Sequence, residues 1–276
     1  MRDRLPFTVG EGFGDYLFLD GTTDFNTWWE LPSGDQGLEV YVCTADGGHF
    51  AETPFYAAGD NYIYSRTRLA LAPDGNARGH RELDYGARLS PDRRADNQQV
   101  EMQEIDLEVY WNRRYPGTDV YNVNITDPAD TDSSVSYAYD LAIPGLARRE
   151  GDTLIFATHL HQDLLAQRYG SLTERRYPLR FDYRWLANTR TVFELPPGMV
   201  PLSLPEAREM SLETSAGGPL ASMFVSYEFS DGALIVTDEL RIDAAEVSVA
   251  DYAAFRGFLA AYERIQAQVV LVGPGP

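Results

Sequence analysis

The sequence contains no lysine and a single cysteine among its 276 residues. Without lysine, no side-chain amine of this chain can form a Schiff base or accept an acyl group. The only thiol, Cys43, excludes an internal disulfide and a cysteine-based zinc site. Enzyme classes that depend on these groups are therefore excluded for the chain on its own.

Long apolar runs are also missing. No stretch approaches the roughly 20 apolar residues that a transmembrane helix requires, so we expect no membrane span. The first residues, Met1-Arg2-Asp3-Arg4-Leu5-Pro6, contain no apolar region typical of a signal peptide. A processed or excised protein would begin in the same way, and the compartment therefore stays open.

Positive charge is scarce relative to negative charge. The chain has 42 acidic and 23 basic side chains, which gives a formal net charge of -19. Such an excess repels phosphate backbones, so we do not expect nucleic acid as a partner. Hydrophobic residues make up 44% and aromatic residues 12% of the sequence. This composition predicts a folded core, and the length suits one large domain or two ordinary ones.

Short runs with alternating polar and apolar residues predict a mainly β fold. Turn signals rich in Gly, Pro and Asp separate these runs. The spacing favours two β-sandwich-like units at residues 55–170 and 171–276. The predicted strands cover residues 16–19, 38–42, 61–71, 77–89, 120–125, 135–143, 152–157, 189–195, 221–229 and 233–242.

Helical periodicity appears twice, so each unit is predicted to carry one helix. Residues 92–114 place Trp111 and other apolar side chains on one face. Ser248 is a good N-cap, and aromatic and aliphatic residues recur behind it at spacings of three and four. This pattern predicts the longest helix at about residues 249–266, and residues 269–272 are predicted to add a final strand.

Three residues are the candidates for nucleophilic catalysis. Asp20 follows a strand-like run and precedes Gly21, a position typical of an Asp-Gly turn and also of a carboxylate that orients a catalytic histidine. Cys43 lies in an apolar run without basic neighbours, which favours a small buried side chain over a nucleophile. His49 is the nearest histidine and could meet Cys43 across the turn at residues 45–48. A turn position for Asp20 and a buried core position for Cys43 explain these residues without a catalytic role.

His159, His161 and Asp163 alternate, so on a strand they would share one face and could bind a metal. Residues 163–167 look helical, however, which would break that alignment. No fourth ligand is evident in the sequence. We therefore expect no tightly bound metal at these histidines.

Asp127, Asp130 and Asp132 lie in one Pro-containing loop and are weak calcium candidates. Clustered carboxylates suit calcium, but the spacing of an EF-hand, with its Gly and closing Glu, is missing. A solvated turn explains the three residues equally well.

Two further motifs lie near the N-terminus. Gly10, Gly12 and Gly14 alternate, but without the Lys-Ser/Thr pair or the strand-to-helix context of a phosphate loop they indicate a connector. Trp28 and Trp29, beside an acidic residue, could stack on a sugar ring. Packing against a core or a neighbouring domain is the alternative role for these tryptophans.

The order of several motifs resembles one protein family, the bacterial transglutaminase-like (papain-type) proteins. The N-terminal motifs resemble the C-terminal edge of the catalytic core, which implies that residues 1–55 are an edge segment of such a core. The later motifs resemble the β-rich region that follows the core. The N-terminal motifs are Leu17-Phe18-Leu19-Asp20-Gly21-Thr22, Leu31-Pro32 and Asp35-Gln36-Gly37. The later ones are Thr53-Pro54, Asn61, Tyr115-Pro116-Gly117, residues 120–125, residues 147–154, Glu194-Leu195-Pro196-Pro197-Gly198 and residues 249–256.

The resemblance implies a limited role for Asp20. This residue matches the third member of the family's Cys-His-Asp triad, whose Cys and His lie upstream of it. The residues of this chain that precede Asp20 include neither Cys nor His. The resemblance therefore implies a non-catalytic accessory, binding or scaffold module with a protein partner and no cofactor. Two alternatives are a split cysteine enzyme to which this chain donates Asp20, and an independent carbohydrate- or calcium-binding module.

Overall fold

The computed structural model of the protein describes residues 16–22, 24–27, 31–45, 47–86 and 89–275. The fold is mainly β, with 43% strand and 17% helix, which confirms the predicted fold class. The strands are β1 Glu39–Thr44, β2 Gly47–Glu52, β3 Tyr62–Leu71, β4 Ala77–Tyr85, β5 Asp119–Ile125, β6 Val135–Ile143, β7 Arg148–Glu150, β8 Thr153–Ala157, β9 Leu179–Arg180, β10 Trp185–Glu194, β11 Met199–Ser203, β12 Arg208–Glu213, β13 Pro219–Ser230, β14 Ala233–Ile242, β15 Glu246–Val247 and β16 Val269–Pro274. The α-helices are α1 Leu89–Asp96, α2 Gln103–Asn112, α3 Leu165–Tyr169 and α4 Tyr252–Gln266.

Two large sheets organise these strands. The larger sheet has eight strands in the order β12-β13-β14-β10-β3-β4-β6-β5, and the smaller has four in the order β11-β16-β8-β7. β10 and β3 are parallel, whereas the other pairs in the described part of the chain are antiparallel. The hairpin of β1 and β2 forms a separate two-stranded sheet, as do β15 and β9.

Both large sheets combine strands from the two units that the sequence analysis separated. In the larger sheet, four strands from residues 171–276 lie beside four strands from residues 55–170, joined at the parallel pair of β10 and β3. In the smaller sheet, β16 pairs with β8 in the same way. Each of the two large sheets therefore contains strands from both sides of the predicted boundary at residue 170.

The inner face of the larger sheet supports two hydrophobic clusters. The smaller sheet covers the first cluster, which includes Leu69, Leu141 and Phe193 of the large sheet. Helix α4 covers the second cluster, where its Phe255 and Leu259 pack near β13 and β14. Strand β14 contributes to both clusters, with Leu234 and Val236 in the first and Leu240 and Ile242 in the second.

The helices follow the sequence analysis in part. The predicted longest helix is confirmed as α4, and the predicted last strand is confirmed as β16. The single helix expected at residues 92–114 is wrong: α1 and α2 are separated by residues 97–99 and a 3-10 turn at Val100–Met102. The side chain of Asn97 ends α1, because its Nδ2 donates to the carbonyl of Arg93 at 2.6 Å.

Residues 16–19, predicted as a strand, have no regular secondary structure. Leu17 and Leu19 are exposed, so this run lacks the covered face that stabilises a strand. Among the described residues, no helix is long and apolar enough to cross a membrane.

Candidate functional site

Asp20 is held in a local turn. The amide of Thr22 donates to its Oδ1 at 2.7 Å, and the hydroxyl of Thr22 donates to its Oδ2 at 2.9 Å. These bonds, with a further hydrogen bond to Asp35, lower the pKa of Asp20. The same shared bond raises the pKa of Asp35. Both carboxylate oxygens of Asp20 thus accept hydrogen bonds from Thr22, two residues away, as expected for a residue in a turn.

The structure separates Cys43 from His49. In the hairpin, Cys43 lies opposite Gly48 and Val42 lies opposite His49. Opposite residues share a face and successive residues alternate, so Cys43 and His49 project from opposite faces of the hairpin. Cys43 is exposed, so the expectation of a buried side chain is wrong. The hairpin joins neither large sheet, and its faces are therefore less covered than those of a core strand.

The acidic loop forms turns. Asp127 accepts the amide of Ala129 at 2.9 Å, and Asp130 accepts the amide of Asp132 at 3.0 Å. Across the ranges that the structure describes, no three His, Cys, Asp or Glu side chains converge into a group that could hold a metal ion. The candidate sugar platform at Trp28 and Trp29 lies outside the described residues.

The alternating glycines at Gly10, Gly12 and Gly14 likewise fall outside the described residues.

His159 and His161 lie in an irregular segment between β8 and α3, not on a strand. Their side chains contact different partners. His159 approaches Asp238, whereas His161 packs against the ring of Trp111 with centroids 4.6 Å apart.

A stripe of polar side chains crosses the inner face of the large sheet, between the two hydrophobic clusters. Strand register places Thr189 opposite both Asp238 and Ser65, which gives one row across three strands. The neighbouring row joins Thr191, Thr67 and Arg81. Because residues two apart on a strand share a face, all six point toward the same side of the sheet. This polar stripe consists of Ser65, Thr67, Arg81, Thr189, Thr191 and Asp238.

A cavity of about 200 Å³ lies against the polar stripe and is lined by all of its residues except Thr67. Its other walls come from α2, α4 and the segment between β8 and α3, which contribute Tyr110, His159, His161, Asp163, Tyr262 and Gln266. A second cavity of about 680 Å³ shares Arg81, Leu83, Tyr85 and Tyr110 with the first. Arg81 therefore lies between two adjoining spaces.

Asp238 forms the acidic end of the smaller cavity and is only 4% exposed. The hydroxyl of Tyr262 donates to Asp238 Oδ2 at 2.9 Å, and His159 Nε2 lies 3.3 Å from the same oxygen but outside hydrogen-bond geometry. Gln266 Nε2 donates to Asp163 Oδ2 at 2.8 Å. Burial, with the two carboxylates, raises the pKa of Tyr262 well above its ordinary value, so this hydroxyl stays a donor.

Arg81 forms the basic end and is 7% exposed. Its guanidinium carbon lies 5.4 Å from the ring centroid of Trp111, within the range of a cation–π contact. Burial, together with the positive charges of Arg81 and Arg114, lowers the pKa of His161 to about 3. His161 is therefore a neutral imidazole, 3.3 Å from the hydroxyl of Tyr110 at Nδ1.

The sequence analysis missed Asp238 and Arg81 as site residues, although a signal for Asp238 exists. In residues 233–242 the buried positions are Leu234, Val236, Asp238, Leu240 and Ile242. A carboxylate in the middle of an otherwise apolar face is the feature that marks a buried polar site.

Comparison with known proteins places similarity in the C-terminal part of the chain. One solved structure with detectable similarity is described as a putative protease from Parabacteroides distasonis ATCC 8503. It is 10% identical with a TM-score of 0.35, and the match covers 45% of this chain and 24% of that one. This chain thus spans about a quarter of that protein, and the likeness is too weak to carry an argument. No curated protein matches the sequence. Residues 152–272 match DUF3858, a domain of unknown function with a solved structure.

Proposed function

We propose that the chain is a non-catalytic accessory module that docks onto a transglutaminase-like core through the hairpin of β1 and β2. The observation that carries this proposal is an exposed aromatic pair on that hairpin. Tyr41 and Phe50 lie opposite each other with ring centroids 5.1 Å apart, and they are 56% and 66% exposed. Large exposed aromatic side chains are typical of protein interfaces.

The hairpin receives no strand pairing from the rest of the chain that the structure describes. An isolated two-stranded sheet is marginally stable in water, and this one pairs with no other described strand. A partner that packs on the Tyr41 and Phe50 face would supply the missing hydrophobic contact. The resemblance of residues 17–37 to the edge of a transglutaminase-like core supports that class of partner.

The segment before the hairpin is fixed to the body, which would orient the docking face. The amide of Leu31 donates to the hydroxyl of Tyr56 at 2.9 Å. Gln36 Nε2 donates to the carbonyl of Leu31 at 2.8 Å, and Arg94 donates to the carbonyl of Phe25 at 2.8 Å. These contacts support a defined position for the module beside its partner.

The geometry at the candidate triad residues supports a non-catalytic role. Acyl transfer requires a nucleophile within hydrogen-bond reach of its base, with a third group behind the base. Cys43 and His49 project from opposite faces of the hairpin, and the oxygens of Asp20 are engaged by Thr22.

The proposal is tested by titrating a purified bacterial transglutaminase-like core with the purified chain in a calorimeter. We expect a complex whose affinity falls at least about tenfold in the double variant Tyr41→Ser and Phe50→Ser. The matched control is Phe224→Ser, which alters an exposed aromatic residue on β13 and should leave the affinity unchanged. Absence of a complex, or equal weakening by the control, would contradict the proposal.

The same complex separates the accessory role from the split enzyme. If the accessory role is correct, Asp20→Asn leaves both the affinity and any hydrolase activity of the complex unchanged. If the activity is lost while binding persists, the chain supplies Asp20 to a Cys-His pair on the core, and the accessory role is wrong.

A further inference from the structure

The smaller cavity contains an unusual concentration of buried polar atoms without hydrogen-bond partners. Five side chains in its wall have one such atom: Ser65 Oγ, Arg81 Nε, His159 Nε2, His161 Nε2 and Asp238 Oδ1. Leaving buried polar atoms unpaired is costly, so a cavity with several of them is matched to a polar occupant.

The charges of the cavity wall are separated. Arg81 forms no ion pair with any residue that the structure describes, whereas Asp238 and Asp163 lie toward α4 at the other end. A buried, uncompensated guanidinium favours an anionic group beside it. The unpaired Oδ1 of Asp238 favours a cationic hydrogen-bond donor.

We propose that this cavity binds a short peptide through its free termini, with the carboxylate at Arg81 and the ammonium at Asp238. Strand register separates the backbones at Arg81 and Asp238 by three strand spacings, about 14 Å, and by two residues along the strands, about 7 Å, so they lie about 16 Å apart. The two side chains occupy part of that distance. An extended peptide of two or three residues, at about 3.3–3.6 Å per residue, bridges the remainder, whereas the two charges of one free amino acid lie too close together.

The middle of the polar stripe suits the peptide groups of such a ligand. Ser65, Thr189 and Thr191 line the cavity and lie between the two charged ends in the strand register. Hydroxyl groups both donate and accept hydrogen bonds, so they can pair with the ligand's N–H and C=O groups. The adjoining cavity of about 680 Å³ leaves room for a side chain at the carboxylate end.

The ligand site does not depend on the docking proposed above, because the hairpin and the polar stripe share no residue. It joins Asp238, which lies inside the stretch that matches DUF3858, to Arg81, which lies outside it. The proposed site is therefore complete only when both halves of the large sheet are present.

The proposal is tested with the full chain by calorimetric titration of the dipeptide alanylalanine. We expect binding, and we expect at least about a tenfold loss of affinity when the dipeptide is N-acetylated or C-amidated, since each change removes one terminal charge. Free alanine should also bind at least about tenfold more weakly, because it cannot reach both ends.

Variants of two arginines on the same strand identify the site. Arg81→Met should abolish detectable binding, whereas Arg78→Met, on the exposed face of β4, should leave the affinity unchanged. If Arg81→Met fails to fold by circular dichroism, Asp238→Asn and Thr189→Val serve in its place, with at least about a tenfold loss expected for Asp238→Asn. Equal binding of capped and free dipeptides, or no binding of any of them at millimolar concentration, would overturn the proposal and leave a hydrated structural cavity.

Discussion

The hydroxyl of Tyr262 donates a hydrogen bond to Oδ2 of Asp238 over 2.9 Å, and this bond joins the C-terminal helix to the centre of the large sheet. Both residues are almost fully buried. The bond lies where the two hydrophobic clusters meet, so it fixes α4 relative to the polar stripe. A buried polar contact of this kind stabilises a fold only while both partners are present.

Removal of that hydroxyl provides the first prediction. Tyr262→Phe leaves Asp238 with one fewer donor in a buried environment, and we expect the free energy of unfolding to fall by about 1–3 kcal/mol. The measurement is chemical denaturation of the two proteins. Tyr177→Phe, at a 79% exposed tyrosine, is the matched control and should be neutral. A neutral Tyr262→Phe would contradict the assigned hydrogen bond.

The pH dependence of stability provides the second prediction. Burial and two arginines lower the pKa of His161 from 6.5 to about 3. Between these values the unfolded chain binds a proton that the folded chain does not. The contribution of His161 is therefore complete above pH 6.5 and is lost as the pH falls toward 3, with a slope of at most about 1.4 kcal/mol per pH unit.

The variant His161→Gln should remove this component of the slope in denaturation experiments across that range. His49→Gln, at an exposed histidine of the hairpin, should leave it in place. The same slope in His161→Gln and in the parent protein would show that His161 is not a buried neutral group.

Two glycines with positive φ provide the third prediction. Gly75 has φ of +89°, and a Cβ built there would lie 2.1 Å from the carbonyl oxygen of Ala147. Gly145 has φ of +62°, but a Cβ there meets no atom within 4 Å. We expect Gly145→Ala to cost about 1 kcal/mol from backbone strain alone, and Gly75→Ala to cost clearly more. Thermal denaturation measures both, and equal costs would contradict the steric account.

The turn at residues 248–251, immediately before α4, provides the fourth prediction. Ser248 Oγ accepts the amide of Asp251 at 3.1 Å and donates to Asp251 Oδ2 at 2.8 Å. Ser248→Ala removes both bonds, so we expect a loss of about 1 kcal/mol in the free energy of unfolding. Ser211→Ala, at an exposed strand position, is the control and should have little effect. The two variants are compared by chemical denaturation.

Local patterns in the sequence predict the regular strands and α4 well, because burial on one side imposes alternation or helical spacing. Strand β14 and helix α4 are the clearest cases. Strand β2 is missed because Gly47 and Gly48, which begin it, are turn residues in most contexts. The break between α1 and α2 is missed because it depends on Asn97, whose side chain contacts the distant Tyr137.

The site is less predictable than the strands. Arg81 and Asp238 are separated by 157 positions, and only the parallel pairing of β10 with β3 brings their strands into one sheet. Periodicity reveals that a strand has a buried face, but it does not reveal which strand lies beside it. The candidates chosen from sequence, such as Asp20 and Asp127, belong to local turns, since Asp is common both in turns and in sites.

The most direct test of the non-catalytic role is the rate at which iodoacetamide alkylates Cys43 in the native protein. If Cys43 has no catalytic base, the rate is the same in the parent protein and in the variants His49→Ala and Asp20→Asn, because neither side chain acts on the thiol. Rapid alkylation that falls at least about tenfold in both variants would show an assembled Cys-His-Asp group. That result would contradict the proposed accessory function.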